Sequence, residues 1–298
     1  MTALPKPFAK WKTDGVTRRR LAAAALVAAS VAVSACGSTT VGQAIAERNA
    51  AGPKAADVPM RDLQPTAPVP ESSAPQWIDV TGEMNPPRDS EGFQFGTTPV
   101  PGVAVAHWDN SGAGKNCTIG PAVKADTRQG FLTAGHCTAD LAPTQQYLSA
   151  TSDADTSPQI LMGTATQAVD DNLGMDSAVI WTDAPVDPAA ANIAGIPVAG
   201  AMTETQVKAL PPSTPICFDG AKSGVQCSPL VAATDMIEVS SVGDHGDSGG
   251  AVFVVDANTH RATVIGLVEG LDEASGREVA TYVQPVLDRL GATVVTAS

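Results

Sequence analysis

The chain predicts an all-β fold over its C-terminal two thirds, and three observations carry that prediction. Short apolar runs rich in Val, Thr, Gly and Ala recur there, Gly, Pro and Asp break them, and amphipathic helices are scarce. β-Branched residues suit a pleated, half-buried surface, and the breakers supply turns. In order, residues 103–106, 130–133, 178–181, 251–255 and 263–268 read as strands, and a short helix is expected near Pro285 to Leu290. Turn signals between short strands fit a sandwich or a barrel, and periodicity does not choose between them. From residue 96 onward about 200 residues remain, enough for one substantial core or a pair of packed barrels. No internal repeat is visible.

The first 35 residues read as an export signal. Arg18, Arg19 and Arg20 form a positive region ahead of an apolar stretch of 15 residues from Leu21 to Ala35, short for a membrane span. The stretch ends in Val33-Ser34-Ala35-Cys36, which resembles a bacterial lipobox, so Cys36 is the expected lipid attachment point. Residues 36–95 hold many Pro, Ala and Ser, including Pro65-Thr66-Ala67-Pro68-Val69-Pro70. This is the composition of a disordered linker, serving as a tether or a short pro-segment. Residues 96–298 form the expected folded domain.

Two pentapeptides carry the chemistry. Gly246-Asp247-Ser248-Gly249-Gly250 sets a serine among small residues, where its hydroxyl can be exposed and the amides of Gly246 and Ser248 can converge on an oxyanion. Thr133-Ala134-Gly135-His136-Cys137 supplies a base whose intrinsic pKa lies near neutrality. The two segments resemble the His and Ser signatures of the chymotrypsin-like, trypsin-fold serine proteases. Cys117-Thr118-Ile119-Gly120, the loop from Cys217 to Cys227 and the ending Thr281-Tyr282-Val283-Gln284-Pro285-Val286 resemble the secreted actinobacterial streptogrisin type. The matches reach from about residue 100 to about residue 290.

That resemblance implies two antiparallel β-barrels with the active site in the cleft between them. It implies a triad of His136, Asp176 and Ser248, an oxyanion hole from Gly246 and Ser248, and peptide or protein substrates. Asp176 is preferred to Asp170 and Asp171 because it immediately precedes an apolar run, whereas Asn172-Leu173-Gly174 after the rivals reads as a turn. Disulfides are expected between Cys117 and Cys137 and between Cys217 and Cys227, which leaves Cys36 for lipid. No C-x-x-C pair favours a metal, and neither metal nor organic cofactor is expected. His107, His245 and His260 read as surface or packing residues, with His245 adjacent to the oxyanion amide.

Departures from the family are also readable. The Ile-Val-Gly-Gly activation terminus is missing, so an N-terminal ammonium is not expected to hold Asp247, and an arginine is the alternative. Glu269 falls where the family carries a serine bonded to the catalytic aspartate. It turns into the cleft, or the alignment is shifted by one, or the site is impaired. The pocket base falls at Val242, with Asp244, Glu269 and Glu278 near it, and a basic or small P1 residue is the expected preference. Six of the 18 basic residues and one of the 31 acidic ones precede Cys36, leaving 12 and 30 and a net charge of −18. Such a surface disfavours nucleic acid and direct contact with anionic membranes. The function implied is an exported serine endopeptidase, lipid-anchored on the outer face of the cytoplasmic membrane or secreted. The alternative is a catalytically impaired protein of the same fold that binds peptides or partners.

Overall fold

The computed structural model describes residues 76–82, 92–109, 111–151, 158–171, 174–183, 185–240 and 243–298. The expected signal segment, Cys36, most of the linker and Val242 lie outside them. Strand β1 (Trp77–Ile78) precedes the first barrel, which is built from β2 (Ala104–Trp108), β3 (Gly114–Thr118), β4 (Ala122–Ala125), β5 (Arg128–Thr133), β6 (Thr144–Leu148), β7 (Ile160–Asp170) and β8 (Asp176–Thr182). Hydrogen bonds run in the order β4-β5-β8-β7-β6-β2-β3, all antiparallel. Only residues 119–121 separate β3 from β4, the two ends of this order. Gly120 at that bend lies so close to the Gly249 carbonyl oxygen that a Cβ would collide with it.

β9 (Asn192–Ile193) and β10 (Ile196–Ala201) lead into the second barrel. Its strands are β11 (Pro215–Gly220), β12 (Gly224–Ala233), β13 (Ile237–Ser240), β14 (Ala251–Asp256), β15 (Arg261–Asp272) and β16 (Arg277–Tyr282). They pair in the order β14-β11-β12-β13-β16-β15, and β14 pairs again with β15, closing six antiparallel strands. The chain is thus all-β, as expected, with one closed six-stranded barrel and a second antiparallel sheet. The five strands expected from sequence lie in or overlap β2, β5, β8, β14 and β15. One parallel pairing, β10 with β15, sits outside the antiparallel scheme.

Continuous burial marks the central strands. β8 and β14 each bury five consecutive residues. Phe131, Ile180 and Ile119 fill one core, Ile216 and Ile265 a second, and Leu132 packs with Phe253 and Leu267 in a third that residues of both sheets share. The expected C-terminal helix is α2 (Val283–Leu290), which buries Val283, Val286 and Leu287 and ends at Gly291 with φ 60°. Arg289 of α2 donates to the Gln167 carbonyl at 2.6 Å and to Ser177 Oγ at 2.9 Å, tying the helix to the first barrel behind Asp176. A shorter helix, α1 (Glu204–Lys208), starts with a capping box between Thr203 and Gln206. After α2, β17 (Thr293–Val294) pairs with β4. Both expected disulfides are present, Cys117–Cys137 and Cys217–Cys227, as suits a protein outside the reducing cytoplasm. No helix among the described residues is long and apolar enough to cross a membrane.

Residues upstream of 96 also pack on the second barrel. β1 pairs with β14, and Val80 is 1% exposed in the core that holds Phe253 and Val225. Cys227 N–H donates to Thr81 Oγ1 at 2.9 Å, pinning the same segment beside the second disulfide. Val80→Ala should therefore destabilise the folded chain by about 2 kcal/mol, from lost transfer energy and a small cavity. Denaturant unfolding checks this, and an unchanged midpoint would mean that the segment contributes nothing.

Candidate active site

His136 sits in a single 3-10 turn, Gly135–Cys137, at the end of β5. Gly135 is required there because a Cβ would collide with the Val169 carbonyl oxygen. The Cys117–Cys137 bridge fastens the next residue to β3. Asp176 opens β8 and is 2% exposed. Its Oδ1 accepts the His136 backbone N–H at 2.9 Å, and its Oδ2 lies 2.5 Å from His136 Nδ1. An ionised carboxylate only accepts, so Nδ1 carries the proton and Nε2 is left as the basic nitrogen. The Asp176 N–H donates to Thr281 Oγ1 of β16 at 2.8 Å, which joins the pair to the second barrel.

Burial pushes the His136 imidazole down, but the hydrogen bond and charge of Asp176, with the charges of Asp170 and Glu269, more than offset it. The net shift is upward. The rival carboxylates have other places. Asp170 ends β7 opposite Asp176, and Asp171 Oδ1 accepts the Met175 N–H at 3.1 Å in the turn.

Ser248 follows a loop fixed by Asp247. The Asp247 carboxylate accepts three backbone N–H groups: Lys222 at 2.8 Å and Ser223 at 3.0 Å on Oδ1, and Asp244 at 2.7 Å on Oδ2. Neither an ammonium nor an arginine pairs with it among the described residues. Gly246 has φ +108°, and its carbonyl accepts Thr118 Oγ1–H at 2.7 Å. The N–H groups of Gly246 and Ser248 donate to no protein acceptor among the described residues. The Ser248 carbonyl accepts Thr118 N–H at 2.8 Å and lies 3.8 Å from Cys137 Sγ, so serine and histidine loops are neighbours. Ser248 Oγ donates to the Glu269 carbonyl at 3.4 Å. Among the described residues no hydrogen bond joins it to the imidazole; such bonds are commonly long before substrate binds.

Glu269 is the extra residue of a β-bulge, since Val268 pairs with Ala280 and Gly270 with Val279. A bulge re-aims its side chain, and here the Glu269 charge acts on His136. Asp244 is exposed and accepts the His245 N–H at 2.7 Å, so it caps its own loop. Glu278 is the buried acid of this region, 3% exposed, with Gly243 N–H donating to it and Asp247 nearby. Burial, then the Asp247 charge, raises its pKa to about 7. His107 is a packing residue, fully buried in β2, its pKa lowered to about 4 chiefly by burial. His245 and His260 are exposed. Cys117, His136 and Cys137 bring three donor atoms within 4.8 Å of one another, but the disulfide consumes both thiolates a metal would need. A cavity of about 320 Å³ beside His136 is lined by Asp109, Asp140, Asp170, Lys115 and Leu141, among others.

No family model and no curated protein matches the chain. Solved structures do. Thermobifida fusca protease A is 21% identical, with TM-score 0.46, over 66% of this chain and 98% of its own. Cellulomonas bogoriensis chymotrypsin is 22% identical, with TM-score 0.44, over 66% and 98%. A glutamic-acid-specific serine protease that uses a histidine triad in substrate binding is 20% identical, with TM-score 0.47, over 66% and 100%. At 20–22% identity none of them lends this chain a substrate.

Glu278 sets a pH dependence of stability. Its folded pKa is about 7 against an ordinary 4.5, so between those values the folded chain keeps a proton that the unfolded chain has lost. Stability from this group therefore falls as pH rises through that window. Glu278→Gln should gain stability over the parent by an amount that grows between pH 4.5 and 8, reaching on the order of 3 kcal/mol. Unfolding curves across pH check this; a constant offset would contradict it.

Proposed function

We propose that the chain is an extracytoplasmic serine endopeptidase. The observation that carries the reading is the His136–Asp176 clasp, set beside a serine flanked by two unengaged amides. Ser248 Oγ attacks a peptide carbonyl carbon while His136 Nε2 takes its proton. Asp176 holds the proton-bearing Nδ1 and stabilises the imidazolium. The carbonyl oxygen becomes an oxyanion that receives the Gly246 and Ser248 N–H groups, each worth roughly 3 kcal/mol in such sites. The imidazolium then protonates the leaving amine, the C–N bond breaks, and an acyl-enzyme remains. Water, deprotonated by His136, attacks the ester and releases the acid and free Ser248. None of these steps requires a metal or an organic cofactor.

Export and lipid anchoring at Cys36 are supported by the N-terminal sequence pattern and by two disulfides. Substrates with a basic or small P1 residue are favoured by the acids placed near the cleft by motif position, Asp244 and Glu269; Glu278 is buried and keeps its proton to about pH 7. A second reading, an impaired peptide-binding protein, draws on one observation: Ser248 Oγ bonds to the Glu269 carbonyl. A fluorophosphonate probe separates the two. The parent should be labelled and Ser248→Ala should not, with peptide turnover falling by something like 10⁴-fold or more. Asp176→Asn should lower kcat by about 10⁴ with folding retained, the size of the same change in other Ser-His-Asp triads. A folded parent that is neither labelled nor able to cleave a mixed peptide library would leave the binding protein. A clear preference for Phe, Leu or Glu at P1 would end the basic-P1 idea.

A further inference from the structure

We propose that Phe93 is a positioning residue for the Gly246 amide, so that a strap upstream of the first barrel supports the oxyanion loop. This rests on the function proposed above. Gln94 anchors the strap. Its N–H donates to the Ala221 carbonyl, its Nε2 to the Gly220 carbonyl, and its carbonyl accepts the Ala104 N–H, each at 2.8 Å. The strap is thus pinned to the first strand of one barrel and to the β11–β12 turn of the other. Next to this anchor, the Phe93 ring lies against the bare Cα of Gly246. A Cβ there would stand 2.6 Å from Phe93 Cε1 and 3.0 Å from Cζ.

The ring is held in its turn. Lys222 Nζ lies 4.6 Å from its centroid, and the Phe95 ring centroid is 5.7 Å away. The backbone N–H of that same Lys222 binds Asp247 Oδ1. On its other side Gly246 is held through its carbonyl by Thr118 Oγ1 at 2.7 Å. Glycine is the residue freest to rotate its flanking peptides, and a positive φ such as this is easily exchanged for others. Phe93 and Thr118 restrict Gly246 from two sides, which keeps an amide without a protein acceptor turned toward one place. The site is therefore assembled with the strap attached, and Asp247 has its amides without any new N-terminus.

The experiment compares the parent with Phe93→Ala, Phe93→Leu and Phe93→Tyr. It reads the ¹⁵N order parameter of Gly246 together with kcat and KM on a peptide ester. In Phe93→Ala the order parameter should fall from the rigid range near ~0.85 toward ~0.6. Its kcat should fall about tenfold or more with KM within about twofold, a fraction of the loss seen when an oxyanion donor is removed. Phe93→Leu should lie between, and Phe93→Tyr should restore both readouts. If Phe93→Ala does not fold, Phe93→Leu carries the same comparison. Unchanged Gly246 order with unchanged kcat overturns the proposal, as does a rise in KM alone, which would make the ring a substrate contact. A parent inert to the fluorophosphonate probe would defeat the proposed function. The Gly246 order parameters would still decide whether Phe93 positions the loop.

Discussion

Asp176 is a charge taken almost wholly out of water, and the cleft is organised around keeping it there. A buried carboxylate is tolerable only when its oxygens are hydrogen-bonded. Here one oxygen is given to the His136 backbone and the other to the imidazole, so the same ion fixes both the position of the turn and the tautomer of the ring. The residue opens a strand whose first five residues are buried, and its own N–H is anchored by Thr281 of β16. Removing the carboxylate would release the turn and the ring together. Gly135 and the Cys117–Cys137 bridge serve the same end, letting the histidine turn lie close enough to reach it.

Two further buried carboxylates face the same physical problem and are solved differently. Asp247 uses three backbone amides from two short segments, and a Cβ on Gly220 would collide with its carboxylate. Fixed dipoles of this kind stabilise a negative charge without a mobile cation. They also make the shape of the loop before Ser248 a property of the chain already folded. Glu278 has one amide and an acidic neighbour, so it keeps its proton to higher pH instead.

The sequence was most legible where a backbone constraint leaves a residue signature. The glycines around Ser248 and beside His136 are visible because close approach and positive φ exclude other side chains, and the apolar run after Asp176 marked a central strand. The disulfide pairings and the two-barrel arrangement were implied by resemblance rather than by periodicity. Phe93 and β1 were not legible, since a two-residue pairing and a Phe-Gln-Phe stretch within Pro-rich sequence present no period. Thr203 and Gln206 do spell a capping box, but a five-residue helix offers too short a pattern to stand out. Glu269 was flagged by motif position, yet its bulge depends on which residues of β16 face it, and pairing partners are not written in a strand's own sequence.

The bulge at Glu269 also bears on the strength of the base. A histidine that accepts the serine proton must start neutral and finish charged, so groups that favour imidazolium help the transfer while shrinking the pH range in which the ring starts neutral. Burial opposes the cation and Asp176 favours it; Asp170 and Glu269 add to Asp176. A serine at the bulge would leave the imidazole with one fewer carboxylate acting on it. In the proposed reaction Glu269 therefore strengthens proton transfer and moves the acid limb of activity to higher pH, through charge and without a bond to the ring. Its carbonyl, 3.4 Å from Ser248 Oγ, meanwhile accepts a hydrogen bond from the hydroxyl. One residue thus acts on the base through its side chain and on the nucleophile through its backbone.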